Sequence, residues 1–320
     1  MANKVMVVGT GNVGMSYAYA LVHQRTAVNE LVLVDINTAD AEGEAMDLRD
    51  ALTVSPSYLK ITDGSYADAG DCDLIVITAG VPQKPGESRM DLLKKNAAIF
   101  KDMIGQIMDN GFKGIFLIAS NPMDVMTYLV WRYSGLPKEH VIGSGTVLDS
   151  SRLRYRVSQR LLVNPVNVHA YQVGEHGDSE FALWSCANVG GQAVTDLIGA
   201  QELSEIEEYA RKEAYTIIEK KGATYYGIGS CLASITNCIL NDERRILPVS
   251  NYDEFSGTYN GFPAVVGSDG IIRRIGLNIS ETEKEKFENS VKVLKEAIAE
   301  AESESKPEEE KPAEEPAPEQ

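Results

Sequence analysis

Short apolar runs alternate with amphipathic stretches along the first 145 residues of the chain. The apolar runs predict strands at residues 4–9, 31–35, 73–78, 114–119 and 140–143, with a weaker one at 58–62. The stretches between them predict helices at residues 12–24, 42–52, 88–109 and 122–133. Strands that are apolar throughout and separated by helices are typical of a parallel sheet covered on both faces. Residues 1–145 are therefore predicted to form an α/β domain with a doubly wound parallel sheet.

The pattern changes after residue 145. Helical patterns are found at residues 149–162, 204–220 and 224–240, and a last one starts at residue 281. Strand-like runs are found at residues 166–173, 182–189, 244–250, 264–267 and 271–274. Residues 146–302 are therefore predicted to form a second domain of mixed α+β type.

The last residues differ in composition from the rest of the chain. Residues 301–320 contain eight Glu, two Lys and four Pro and no aromatic residue, so they carry −6 of the net charge of −17 and leave −11 to the remainder. Such a segment buries too little apolar surface to offset the entropy lost on ordering. We therefore predict that residues 303–320 form a disordered acidic tail, and expect its deletion to leave turnover unchanged.

Charge and composition exclude several classes of function. A net charge of −17 argues against a nucleic-acid surface, and no apolar run approaches the roughly 18 residues that a membrane span needs. The four cysteines show no spacing typical of metal ligands, so we expect neither a metal site nor a disulfide. These features favour a cytoplasmic protein.

The first strand is followed by the motif Gly-x-Gly-x-x-Gly. Gly9, Gly11 and Gly14, with Asn12 and Val13 between them, lie where this strand meets the first helix. In that context the glycines allow a tight turn and close approach of a pyrophosphate to the helix N-terminus. Asp35 follows Gly14 by 21 residues, at the end of the second strand, where a carboxylate binds ribose hydroxyls and repels a 2′-phosphate. The pattern predicts NAD as the cofactor.

One of the four histidines lies in a glycine-flanked loop after a predicted strand. His176 follows Gly174 and Glu175, and a histidine with a pKa near working pH can donate or accept a proton in hydride chemistry. Asp149 and Arg152 are three residues apart and share a helix face. They form either a surface ion pair, or a site in which Asp149 bonds His176 and Arg152 binds a substrate carboxylate.

Several segments resemble the lactate/malate dehydrogenase family, in order and at family spacing. They are residues 9–14, 77–89, 121–122, 147–154 and 174–179, and the resemblance covers roughly residues 4–300. It implies a Rossmann domain followed by a mixed substrate domain. It also implies that His176 is the acid/base, Asp149 its partner and Arg152 the carboxylate anchor. Asn121 would contact the nicotinamide side and the substrate oxygen, and Arg89 would polarise the reacting carbonyl from a mobile loop at residues 79–89.

Two positions bear on the substrate. Gln83 stands where family members that use malate typically have Arg, so a second substrate carboxylate would have no counter-ion there. Thr224 matches another pocket position of lactate-specific members. Both favour pyruvate and L-lactate as the substrates. The alternatives are a dehydrogenase of branched-chain 2-hydroxy acids, a malate dehydrogenase, and a non-catalytic NADH-binding protein.

Arg154 and His169 match positions that bind fructose 1,6-bisphosphate between subunits in bacterial members of the family. The resemblance therefore implies a homotetramer activated by this sugar bisphosphate. The alternative is that Arg154 forms an ordinary interface salt bridge and that His169 is a packed strand residue.

Overall fold

The computed structural model describes residues 3–81 and 89–303 of the chain. Gln83 and residues 304–320 of the predicted tail lie outside this part, as does the side chain of Arg89. The first half contains strands β1 (Lys4–Val8), β2 (Glu30–Val34), β3 (Lys60–Asp63), β4 (Leu74–Ile77), β5 (Ile115–Ile118) and β6 (Val141–Gly143). Its helices are α1 (Asn12–His23), α2 (Thr38–Leu52), α3 (Arg89–Asp109) and α4 (Met123–Ser134).

The second half is built from shorter strands and longer helices. Its strands are β7 (Val168–His169), β8 (Gln172–Val173), β9 (Phe181–Ala182), β10 (Asn188–Val189), β11 (Gln192–Ala193), β12 (Arg245–Leu247), β13 (Ser250–Asp253), β14 (Thr258–Gly261), β15 (Ala264–Gly267) and β16 (Gly270–Arg274). Its helices are α5 (Val147–Leu161), α6 (Val194–Leu197), α7 (Ala200–Lys221), α8 (Tyr226–Leu240) and α9 (Glu281–Ser303).

The first six strands form a parallel sheet in the order β3-β2-β1-β4-β5-β6. Every residue of β4 and β5 is buried, and helices pack on both faces of the sheet. Because buried parallel strands need apolar side chains on both faces, the continuous apolar runs fold in this way. The predicted α/β class with a doubly wound sheet is confirmed.

The predicted strand at residues 244–250 is wrong in part. Pro248 interrupts it, since proline has no N–H for a ladder, and its carbonyl instead accepts a hydrogen bond from Thr146 N at 3.0 Å. Strand β12 pairs with β15, while β13 crosses to the main sheet and pairs antiparallel with β6 and β14. The second half of the chain thus adds an antiparallel hairpin, including the unpredicted β14, to the sheet of the first.

The predicted strands at residues 166–173 and 182–189 are each broken in the structure. The first is replaced by a 3₁₀ turn at Pro165–Asn167 and the two-residue strands β7 and β8. The second is divided into β9 and β10 by a 3₁₀ turn at Trp184–Cys186. The short pieces bend the chain, so that β8 and β9 pair with each other and flank the loop that carries His176.

The two halves share one hydrophobic core. Residues of α8, β12 and β15 pack in the same cluster as α1 and the strands of the first half. Helices α1 and α8 approach closely at Gly229, where an added Cβ would lie 2.7 Å from the carbonyl carbon of Ser16. Within the part of the chain described here, no helix is both long enough and apolar enough to cross a bilayer.

Candidate active site

The turn between β1 and α1 has the shape of a phosphate cradle. Gly9 has φ +102°, and a Cβ there would lie 2.6 Å from the backbone nitrogen of Ala79. A Cβ on Gly14 would lie 2.0 Å from the carbonyl oxygen of Gly9, so only glycine lets the helix and strand pack this closely. A Cβ added to Gly11 would have no atom within 4 Å, and Gly11 is the N-cap residue of α1, so no side chain covers the start of this helix. This open space in front of the N–H groups of Asn12 and Val13 fits a dinucleotide pyrophosphate.

Asp35 lies just beyond β2 and closes the other side of the cradle. Its carboxylate accepts hydrogen bonds from Thr10 N at 2.8 Å and from Asn37 N at 3.0 Å. Burial alone would raise the pKa of Asp35, but these backbone donors more than offset it and hold the pKa below its usual value. The ionised carboxylate fits ribose hydroxyls and opposes a 2′-phosphate, which is the preference of an NAD site.

The side chains of His176, Asp149 and Arg152 meet around one carboxylate. Asp149 Oδ2 lies 2.8 Å from His176 Nδ1, and Asp149 Oδ1 accepts a hydrogen bond from Arg152 Nη1 at 2.8 Å. The side chains of Asp149 and Arg152 are only 3% and 8% exposed, so this is a buried pair and not a surface ion pair. Helix α5 supplies both groups one turn apart, and the loop after β8 supplies the histidine.

This arrangement favours the protonated imidazole. Burial lowers the pKa of His176, but the charge and hydrogen bond of Asp149 outweigh burial and raise it to about 10. Burial raises the pKa of Asp149, and the charge of His176 outweighs it, so that this carboxyl stays ionised. A half-exposed imidazolium held at Nδ1 by a carboxylate presents its other ring nitrogen as a proton donor.

The structure adds Asp124 to the site, which the sequence analysis did not identify. Its side chain is 2% exposed and accepts hydrogen bonds from His176 N at 2.7 Å and Ser250 Oγ at 2.5 Å. Burial raises its pKa to about 6. Asp124 thereby ties α4 and β13 to the loop of His176. The available signal was a single acid in the first turn of an otherwise apolar helix segment.

Glu180 is a second acid that the sequence analysis did not identify. It is 4% exposed, and Gln172 Nε2 donates to its Oε1 at 3.2 Å. Burial, together with the charge of Asp149, raises its pKa well above the usual value. Ligand atoms of Asp149, His176 and Glu180 lie within 4.8 Å of one another. A metal ion there would have to displace the bond between Asp149 and His176, and Arg152 already neutralises Asp149.

The other predicted site residues occupy separate positions. Asn121 is exposed, between β5 and α4, and its carbonyl oxygen accepts a hydrogen bond from Asn96 Nδ2 at 3.4 Å. Thr224 is half-buried in the turn between α7 and α8. Arg89 is the first residue of α3.

In the part of the chain that the structure describes, neither Arg154 nor His169 forms a hydrogen bond with Asp149, Arg152 or His176. Arg154 Nε donates to the carbonyl oxygen of Ser150 at 3.2 Å, and burial lowers the pKa of its guanidinium. Among the described residues Arg154 forms no ion pair with a carboxylate. His169 is exposed on β7.

Two family models and several curated relatives, all of them lactate/malate dehydrogenases, match nearly the whole chain. Residues 3–143 match the family model of the lactate/malate dehydrogenase NAD-binding domain, and residues 146–305 match that of the lactate/malate dehydrogenase α/β C-terminal domain. The chain is 54% identical to L-lactate dehydrogenase 2 of Bacillus cereus over 307 residues, which covers 93% of this chain and 98% of the relative.

The chain is also similar in structure to solved lactate dehydrogenases. A lactate dehydrogenase from a deep-sea metagenome library of the Medee basin is 49% identical, with a TM-score of 0.92 over 94% of this chain and 100% of that one. The ligand-bound minor L-lactate dehydrogenase of Enterococcus mundtii is 43% identical, with a TM-score of 0.91 over 93% of this chain and 98% of that one.

Proposed function

Because the chain belongs to the lactate/malate dehydrogenase family, we propose that it interconverts pyruvate and L-lactate, with His176 as the acid/base. The chain is an NAD-dependent oxidoreductase, and its relatives over more than nine-tenths of its length are L-lactate dehydrogenases. The observation that carries the proposal is the buried carboxylate of Asp149, which bonds an imidazole and a guanidinium at 2.8 Å each.

In the proposed mechanism, the chain positions pyruvate and supplies a proton. Arg152 uses its free N–H groups to hold the substrate carboxylate, since Asp149 and Glu213 engage only Nη1 and Nε. Bound NADH supplies the hydride that reduces the carbonyl carbon. His176 donates its ring proton to the carbonyl oxygen, and Asp149 stabilises the imidazolium beforehand. In lactate oxidation the neutral imidazole accepts that proton.

Four further residues complete the proposed site. We assign Asn121 to the nicotinamide side and the substrate oxygen, and Arg89 to polarising the carbonyl. We assign Gln83 and Thr224 to the pocket around the substrate methyl group. An uncharged Gln83 leaves the second carboxylate of oxaloacetate without a counter-ion, which disfavours that substrate by several kcal/mol once water is excluded.

The test is NADH oxidation with pyruvate, 2-oxo-4-methylpentanoate and oxaloacetate. We expect kcat/KM to be highest for pyruvate by at least about a hundredfold. His176→Asn should abolish turnover, while His23→Asn, a matched change on α1, should leave it intact. A preference for the branched acid or oxaloacetate would refute the substrate assignment, and equal turnover of the two variants would refute the role of His176.

We also propose a cytoplasmic homotetramer that fructose 1,6-bisphosphate activates through Arg154 and His169. Support comes from a buried guanidinium without a carboxylate partner among the described residues and from an exposed imidazole on β7. A bisphosphate that bridges such cations from neighbouring subunits would stabilise the assembled state. Three of the four free cysteines are buried thiols, which fits a reducing compartment.

Pyruvate saturation curves test this regulation. We expect the sugar bisphosphate to lower the half-saturating pyruvate concentration of the unmodified chain and to have little effect on Arg154→Gln. Light scattering should show a tetramer that the effector stabilises. Superimposable curves with and without the effector would exclude the regulation while leaving the dehydrogenase assignment in place.

A further inference from the structure

A cavity of about 530 Å³ opens between β13, β16 and α9, and none of its lining residues belongs to the proposed catalytic set. This volume lies within the range of roughly 300–1,000 Å³ that is usual for small-molecule sites. Most of its lining is apolar, and the side chains that form this apolar wall are Phe262, Ile271, Leu277, Ile279 and Phe287. A cation, Arg274, lies among them.

The guanidinium of Arg274 contacts only neutral groups at hydrogen-bond distance. Its Nη1 donates to Asn251 Oδ1 at 2.9 Å and its Nη2 donates to Asn260 Oδ1 at 2.7 Å. Two aromatic rings lie beside it, with the centroid of Phe262 at 4.2 Å and that of Phe287 at 5.9 Å from its Cζ. Both asparagines are at most 1% exposed, so the cation is held in a fixed orientation. Its Nε–H has no hydrogen-bond partner among the described residues.

Arg274 also lacks an adjacent counter-ion. No carboxylate of the described residues lies within 4.0 Å of it. Burial lowers its pKa to about 10, an effect that the more distant charge of Asp253 partly offsets. The group therefore remains protonated at neutral pH, as a cation in an apolar wall. An anion entering this cavity would be attracted more strongly than at the surface, because the surroundings screen the charge less than water does.

We propose that the cavity binds a small organic monocarboxylate, whose carboxylate pairs with Arg274 and whose apolar body lies against Phe262 and Phe287. The two rings contact the cation, and its Nε–H, which has no hydrogen-bond partner among the described residues, is left to pair with a carboxylate. A single negative charge fits best, since Asp253 also lines the cavity and would repel a second one, whereas Glu254 there is paired with Lys138. The class is an aryl- or alkyl-substituted acid.

The binding test uses 4-phenylbutyrate as the probe, with the full-length chain held in complex with NADH and oxamate, a pyruvate analogue that cannot be reduced. Occupying the proposed substrate site in this way keeps the probe from Arg152. Calorimetric titration should give one site per chain. We expect the neutral amide, 4-phenylbutyramide, to bind at least about tenfold more weakly, because it lacks the charge that pairs with Arg274.

Two variants locate the site. Arg274→Gln should weaken binding of the acid by about tenfold or more, while Arg25→Gln, which removes the same charge from an exposed position outside the cavity, should keep the affinity within about twofold. Equal affinity for acid and amide, undiminished binding to Arg274→Gln, or no heat of binding would each overturn the proposal. The comparison of acid and amide on the unmodified chain stands even if Arg274→Gln fails to fold.

Discussion

Asp149 holds two cations with one carboxylate. Its Oδ2 engages the imidazole of His176 and its Oδ1 engages Arg152, both at 2.8 Å. An ionised carboxylate that is 2% exposed is costly unless such partners surround it. Because the two cations share this carboxylate, proton donation and the proposed substrate binding depend on the same residue. Burial and the charge of Asp149 also raise the pKa of the neighbouring Glu180.

Replacing this charge should change the pH profile in a defined direction. Asp149 raises the pKa of His176, so the proton-donor form of the imidazole persists to high pH. In Asp149→Asn the pKa of His176 falls, and the alkaline limb of kcat/KM for pyruvate reduction should move down by at least about one pH unit. Turnover at neutral pH should fall by about 10²-fold or more. The measurement is a pH series of initial rates with NADH.

Asp178→Asn is the control for this variant, because Asp178 lies two residues from His176 but accepts its hydrogen bond from Tyr215 at 2.9 Å. It should keep the pH profile of the unmodified chain. An alkaline limb in Asp149→Asn at its original pH would show that this carboxylate does not set the pKa of His176.

Four elements position the loop that carries His176. Helix α4 and strand β13 do so through Asp124 and Ser250, and helix α9 does so through Ser290, whose Oγ accepts a hydrogen bond from Glu175 N at 2.7 Å. Strand β14 adds a backbone pair between Gly174 and Gly261, with N–O distances of 2.8 and 2.9 Å. The loop is therefore held by both halves of the chain. Strand β13 and helix α9 also form walls of the Arg274 cavity.

The raised pKa of Asp124 predicts a pH-dependent stability. Burial raises its pKa from 3.8 to about 6, so folding favours the protonated form, and the stability that this provides is lost as pH rises from about 4 through 6. Asp124→Asn has no such ionisation. Its amide can accept from His176 N and donate to Ser250 Oγ, so it should fold. Between pH 4.5 and 7, the unmodified chain should lose about 2 kcal/mol of unfolding free energy relative to this variant.

Urea unfolding at the two pH values measures this difference. Asp40→Asn, which removes one carboxylate from an exposed position in α2, is the matched control, and the pH-dependent difference should be larger for Asp124→Asn than for this variant. A difference between Asp124→Asn and the unmodified chain that stays constant with pH would mean that Asp124 ionises as easily in the folded state as in the unfolded one.

The pattern of apolar residues predicted the elements that bury apolar side chains and missed those that bury polar ones. Strands β4 and β5 are apolar throughout, β1 is apolar after Lys4, and all three were predicted within one or two residues. The hairpin β13–β14 instead buries Ser250, Asn251, Thr258 and Asn260, each at most 1% exposed. Asn251 and Asn260 bond Arg274, which is distant in sequence. No local periodicity can reveal partners of this kind.

The site residues that were predicted follow from local sequence patterns, whereas those that were missed depend on contacts formed by packing. Gly9, Gly14 and Asp35 follow one another at a spacing that local geometry explains, so the cradle could be predicted from sequence. Asp124 reaches His176 only after α4 and the loop have packed together, and Glu180, in the same loop as His176, becomes buried beside Asp149 only after α5 has packed there. Their burial, which sets their pKa values, depends on that packing and not on neighbours in the sequence.

At the scale of the whole molecule, the two halves are joined through α1 and α8. Tyr17 of α1 is fully buried, and its hydroxyl lies 2.8 Å from Thr236 Oγ1 of α8. Helix α1 also begins at the phosphate cradle, so the packing of α8 determines where its N-terminus lies. We therefore expect cofactor binding by the first half to depend on a helix of the second.

Gly229→Ala tests this dependence. The new Cβ would lie 2.7 Å from the carbonyl carbon of Ser16 and 2.8 Å from the nitrogen of Tyr17, so α1 and α8 must separate. We expect unfolding free energy to fall by about 1–3 kcal/mol and NADH affinity to fall with it. Gly105→Ala in α3 is the matched control, since its Cβ meets no atom within 4 Å, and it should stabilise by about 0.5–1 kcal/mol. Urea unfolding followed by the fluorescence of Trp131 and Trp184, one in each half, measures the unfolding free energy of both variants. Titration with NADH measures their affinity for the cofactor. If Gly229→Ala binds NADH as tightly as Gly105→Ala does, the position of α1 does not depend on its contact with α8.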